Sequence, residues 1–153
     1  MGLFSFIKGV GAKIFGNKET EAPAETKPQL KAAALLQYVQ TLGLPFQKIN
    51  IILQGDDVIL KGEVAQQSDS EKIVLAVGNV EGVDTVDNQM TVSTPEPESR
   101  YHTVEKGDWL SKIAKTYYGD EKKYNVIFEA NKPMLSDPDK IYPGQVLRIP
   151  NID

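Results

Sequence analysis

Apolar residues along the chain recur with two different periods, and the switches between them divide it into segments. Near the N-terminus Phe4, Ile7, Val10 and Ile14, with Phe6 beside them, recur at helical spacing, which predicts a short amphipathic helix over residues 3–15. Gly9 and Gly11 weaken it locally. Such a helix either lies on a membrane surface or docks on the next domain; its polar face carries few Lys and Arg, which favours docking. Residues 16–28, GNKETEAPAETKP, lack apolar periodicity and read as a linker or loop. A second helix is predicted over residues 30–42, with Leu35, Tyr38, Val39 and Leu42 on one face and Gly43 and Pro45 as its stop. Runs rich in Ile, Val and Leu at 48–53 and 58–64 predict strands joined by a hairpin turn, Gln54-Gly55-Asp56-Asp57. Ser68 and Glu71 have capping-box spacing ahead of a helix through Ile73, Val74 and Val77, which Gly78 closes. A third strand follows at 83–92.

Pro95 and Pro97 stand among acidic residues, so 93–99 reads as a domain boundary. Beyond it the pattern predicts a strand at 101–104, a helix over 109–117 with Asp108 as N-cap, a helix over 123–131, and a closing strand at 145–149. Leu110 and Ile113 point inward on the first of these helices, and Gly119 ends it. The fold class is therefore α+β with two small domains, αββαβ over residues 30–92 and βααβ over 100–151, separated by a linker at 93–99, with the helix of residues 1–15 docked on the first domain.

The composition of this 153-residue chain narrows its function. A net charge of −4 without a basic block gives nucleic-acid binding no support. The absence of cysteine excludes disulfides and thiolate metal sites. No run approaches the ~20 apolar residues of a membrane span. The start, MGLFSFIKGV, lacks the longer apolar core and cleavage site of a secretory signal, so a cytoplasmic monomer without stable membrane insertion is expected.

The C-terminal segment resembles a LysM domain. The residues that carry this are YHTVEKGDWL from Tyr101, Ile113-Ala114, Tyr118-Gly119, Ile127, Asn131, and IYPGQVLRIP from Ile141. Residues 30–92 resemble a BON domain in element order, in Gly62 and in the turn GNVEGV from Gly78. Together with the MGLFSF start and the stretch EANKPML from Glu129, the whole chain resembles the bacterial cytosolic potassium-binding proteins of BON–LysM architecture. This resemblance implies K⁺ as the bound ligand, with no organic cofactor and no catalysis. It also implies a role as K⁺ sensor or homeostasis factor.

The residues themselves offer catalysis little. His102 is the sole histidine and reads as a strand surface residue. Asp56, Asp57, Asp137 and Asp139 sit in turn-forming stretches. No phosphate loop, zinc spacing or nucleophile elbow occurs. K⁺ can be held by backbone carbonyls that replace its water shell, and carbonyls are left over at helix C-termini and glycine-rich turns. The Gly78–Val83 turn is such a place, past a helix end whose dipole favours cations. The resemblance directs attention to this turn and the N-terminal segment. The carbonyls of Ile7, Val10, Gly78, Val80, Gly82 and Val83 are the expected ligands, a shell of about six oxygens suited to a hard cation. The alternative is a cell-envelope protein binding peptidoglycan or another N-acetylglucosamine polymer. Against it, Trp109 and Leu110 are expected in the core and glycan is not the expected ligand. A protein partner stays open.

Overall fold

A computed structural model describes residues 2–6, 11 and 32–151. Its first strand, β1 (Gly2–Ser5), lies where a helix was expected. Residues 2–5 pair antiparallel with β4 (Thr85–Thr94), Phe4 opposite Val86. The remainder of the expected helix, 7–10 and 12–15, and the expected linker at 16–28 lie outside the described residues. The physical reason for the strand is the open edge of β4, whose unpaired N–H and C=O groups a further strand satisfies. Alternation does the rest: Leu3 is exposed while Phe4 and Phe6 turn toward the core.

The first domain is a four-stranded sheet in the order β1-β4-β3-β2. Strands β2 (Lys48–Gln54) and β3 (Asp57–Gln66) form the expected hairpin, and β3 runs parallel to β4. A parallel neighbour requires a crossover, supplied by helix α2 (Gln67–Gly78). Helix α1 (Ala32–Leu42) packs beside α2. Val58, Leu60, Val64, Val86 and Met90 project from β3 and β4 into one core with Leu35 and Val39 of α1 and Ile73, Val74 and Val77 of α2. Each such buried side chain contributes about 1.5–3 kcal/mol. Residues 73–78 are all buried, the signature of a helix covered on every side. The capping box expected at Ser68 and Glu71 does not form. The helix starts two residues earlier, at Gln67, without a side-chain cap, and Glu71 is drawn across the domain boundary instead.

The second domain pairs β5 (Arg100–Thr103) antiparallel with β6 (Val146–Ile149). Helices α3 (Leu110–Tyr118) and α4 (Tyr124–Ala130), joined by a 3₁₀ turn at Glu121–Lys123, cover this ribbon. Val104, Leu110, Ile113, Ile127, Leu135, Leu147 and Ile149 form its core. The stretch expected as a linker is divided three ways: Ser93 and Thr94 finish β4, residues 95–98 are exposed, and Ser99 is buried.

Candidate functional site

Helix α2 ends in a turn that the surrounding chain holds on several sides. The Asn79 and Val80 N–H groups donate to the carbonyls of Leu75 and Val77 at 2.9 and 3.2 Å. Val83 N–H donates back to the Val80 carbonyl at 3.2 Å, with Gly82 between them at φ 105°. Asp84 N–H reaches the Asp56 carbonyl at 2.9 Å, and Phe6 N–H reaches the Asp84 carbonyl at 2.8 Å. The N-terminal segment touches the turn at two further points. The Phe6 ring packs so closely on Gly78 that a β-carbon there would collide with it. A β-carbon at Gly11 would collide with the Asn79 carbonyl, and its φ of 121° suits glycine alone. Gly78, Val80, Gly82 and Val83 thus share one turn, while Ile7 and Val10 lie outside the described residues, in the stretch between the two contact points. Gly11 was read from sequence as a helix weakener; its role is close backbone approach.

Asn79 joins this turn to the second domain. Its amide nitrogen donates to the Val146 carbonyl at 2.9 Å, and its amide oxygen accepts from Val146 N–H at 3.0 Å. Two residues along β6, Asn131 does the same for Arg148: it donates to that carbonyl at 3.1 Å and accepts from that N–H at 2.9 Å. The edge of β6 that faces away from β5 is therefore closed by two side-chain amides standing in for a neighbouring strand. Beside them lies a buried ion pair. Glu71, 2% exposed, accepts from Arg148 Nε at 2.8 Å and from Ser99 Oγ and N at 2.8 and 3.1 Å. Val146, Tyr101 and Met134 complete the joint by packing on the first domain's core. Tyr101 also meets the Phe4 ring edge-on at 5.1 Å, so β1 touches both domains.

Comparison with known proteins agrees with this two-part architecture. Residues 29–94 match the BON domain family and residues 102–150 the LysM domain family. Over 151 residues, 98% of this chain and 99% of the other, the sequence is 42% identical to the potassium binding protein Kbp of Escherichia coli O6:H1 (strain CFT073). The chain belongs to the Kbp family. A second relative, an uncharacterized protein of Deinococcus radiodurans, is 35% identical over 131 residues, covering 78% of this chain and 51% of that protein.

In this Kbp-family chain the LysM part corrects three expectations. Trp109 is 56% exposed rather than in the core, whereas Leu110 is buried as expected. The reason is that Trp109 is the non-helical N-cap residue of α3, with φ −146° and ψ 164°, which turns its indole off the inward face. It borders a cavity of about 230 Å³ with Ser111, Tyr124, Pro138 and Asp139. Asp108 does not cap α3; its carboxylate accepts from Glu105 N–H at 2.9 Å and lies 2.9 Å from His102 Nε2. Burial alone would raise the Asp108 carboxyl, but the hydrogen bonds from His102 and Glu105 and the charges of His102 and Lys112 hold it below its ordinary range. His102 is not a free surface residue, because its Nδ1 lies 3.1 Å from the Tyr117 hydroxyl. Imidazole, carboxylate and phenol here staple β5 to the start and end of α3. No helix among the described residues is long and apolar enough to cross a membrane.

Proposed function

We propose that this chain binds potassium ions in the cytoplasm, as a K⁺ sensor or homeostasis factor without catalytic activity. Backbone carbonyls of Ile7, Val10, Gly78, Val80, Gly82 and Val83 are the proposed donors. The observation that carries the reading is the meeting of the N-terminal segment with the Gly78–Val83 turn, at Phe6 on Gly78 and at Gly11 on Asn79. It gathers peptide groups from two distant parts of the chain around a helix C-terminus, where the dipole favours a cation. The full-length relationship to Kbp, named for potassium binding, supports the same ligand. An ion held between two segments ties them together and stabilises the folded state by RT ln(1 + [K⁺]/Kd), about 2.7 kcal/mol at a hundredfold excess over Kd. Full-length protein should therefore melt higher in potassium than in sodium at equal ionic strength. Gly11→Ala, which forces the N-terminal segment off the Asn79 carbonyl, should weaken that response while the folded spectrum persists. Equal melting in both salts would refute the function; a full response in Gly11→Ala would refute the location.

A second reading rests on Trp109. An exposed indole beside Tyr124 and a polar rim is suited to stacking on a sugar ring, which favours an N-acetylglucosamine polymer as ligand of the LysM part. Pelleting with insoluble peptidoglycan, abolished by Trp109→Ala, would support it. Because Trp109 is exposed, that substitution should change stability by no more than about 0.5 kcal/mol. Absence of pelleting would remove this reading.

A further inference from the structure

A second cavity, of about 220 Å³, opens where α1 and α2 meet the loop that leads into β6. Its floor is apolar, formed by Leu75 and Ala76 of α2 with Met134 from the loop. Around the floor stand Tyr38 of α1 and Lys140 and Tyr142 of the loop. Leu75 and Ala76 belong to the 73–78 stretch of α2 that is buried on every side, more than a helix needs to face its sheet. One flank serves the sheet and another this cleft.

The chemistry of the lining is one-sided. Among the described residues no Asp or Glu borders the cleft, in a chain whose net charge is −4. The Lys140 ammonium has no ion-pair partner among the described residues, and the Tyr38 and Tyr142 hydroxyls have no hydrogen-bond partner among them. Burial, with Tyr38 nearby, pushes the Tyr142 phenol up to about 12, so it stays an O–H donor at neutral pH. One cation and two hydroxyl donors over an apolar floor complement an anion with an apolar body. The volume equals that of about seven waters at ~30 Å³ each, room for one ring bearing one carboxylate.

We propose that this interdomain cleft binds a small aromatic monocarboxylate, its carboxylate on Lys140 and the tyrosine hydroxyls and its ring on Leu75, Ala76 and Met134. The cleft borders the proposed ion site, since Gly11 and Asn79 line it as well, and holding both cations constant keeps its test independent of that reading. The probe is benzoate, titrated into the full-length protein at constant potassium and sodium and followed by amide and methyl chemical shifts. Saturable shifts should appear at Ala76, Met134 and Ser136, and neutral benzamide should bind at least about tenfold more weakly, as expected for loss of a charge-assisted hydrogen bond. Lys140 is exposed, so Lys140→Ala should keep the fold and lose about tenfold in benzoate affinity on the same ground. No saturable shift with benzoate, equal binding of benzamide, or full affinity in Lys140→Ala would each overturn the proposal.

Discussion

Replacing Glu71 by alanine removes the acceptor for four hydrogen bonds at once. Arg148 Nε and Ser99 Oγ reach one oxygen at 2.8 Å each, while Ser99 N and Gln67 Nε2 reach the other at 3.1 Å each. The larger consequence falls on Arg148. It is 8% exposed, and without Glu71 its guanidinium keeps, among the described residues, the Ala130 carbonyl at 3.1 Å and the Ser99 hydroxyl at 3.2 Å. Leaving one member of a buried pair unpaired costs about 3–5 kcal/mol. In a chain of this size that corresponds to a fall in Tm on the order of 6–20 °C if the whole structure melts together. The pair spans the domain boundary, however, so the loss has an upper limit, the free energy that docks one domain on the other. If docking is weaker than the penalty, the domains separate before they unfold. The exposed stretch 95–98 then becomes a protease site and the radius of gyration rises. Urea denaturation followed by circular dichroism, with limited proteolysis and small-angle scattering on the same samples, distinguishes the two outcomes. Replacing both partners, Glu71→Ala with Arg148→Met, should recover most of the loss, because a buried pair exchanged for apolar groups is often close to neutral. A Glu71→Ala protein within about 1 kcal/mol of wild type and still docked would show that the joint does not rest on this pair. A double variant as damaged as the single one would show that the unpaired charge is not the cause.

Tyr101→Phe should stabilise the protein by about 1 kcal/mol, since the Tyr101 hydroxyl is buried without a partner among the described residues and its removal ends a desolvation cost; a loss of stability in urea titrations would contradict this. Alkaline conditions should destabilise the fold. Burial raises the phenols of Tyr38, Tyr101, Tyr118 and Tyr142 above their ordinary value, that of Tyr142 to about 12. An unfolded phenol ionises near 10. The contribution of these groups is therefore complete below about pH 10 and is lost as the pH climbs through the folded values. Melting temperature, followed with phenolate absorbance, should fall steadily above about pH 10; a flat profile would refute the assignment.

Much of the first domain was legible because its signals are local. The β2–β3 hairpin is announced by a polar turn between two apolar runs, and α2 by an apolar stretch ended at glycine. What escaped was decided by partners distant in sequence. Phe4 fits a helical spacing with Ile7 and a strand alternation with Phe6, and the choice between them is made by the open edge of β4, some eighty residues away. Glu71 fits a capping box, yet the donor that claims it, Arg148, is 77 residues downstream. No local pattern encodes that pairing. Of the candidate ion site, the glycine-rich turn could be read directly. The contacts that bring the N-terminal segment to it, at Gly78 and Gly11, depend on a β-carbon being absent, and a glycine in sequence does not say what it approaches.

The same joint explains why two domains this small behave as neighbours with shared parts. A two-stranded ribbon such as β5–β6 leaves an outer edge of peptide groups that must be satisfied. Here one asparagine comes from within the domain and the other, Asn79, from the turn proposed to hold the ion. That turn therefore has two neighbours at once, the N-terminal segment on one side and β6 on the other. A change in the conformation of residues 78–83 cannot leave the Asn79 amide in register with Val146 unless the second domain follows. The proposed ion site, the docking of the N-terminal segment and the docking of the second domain therefore meet at this one turn, and Glu71 with Arg148 clamps the joint beside it.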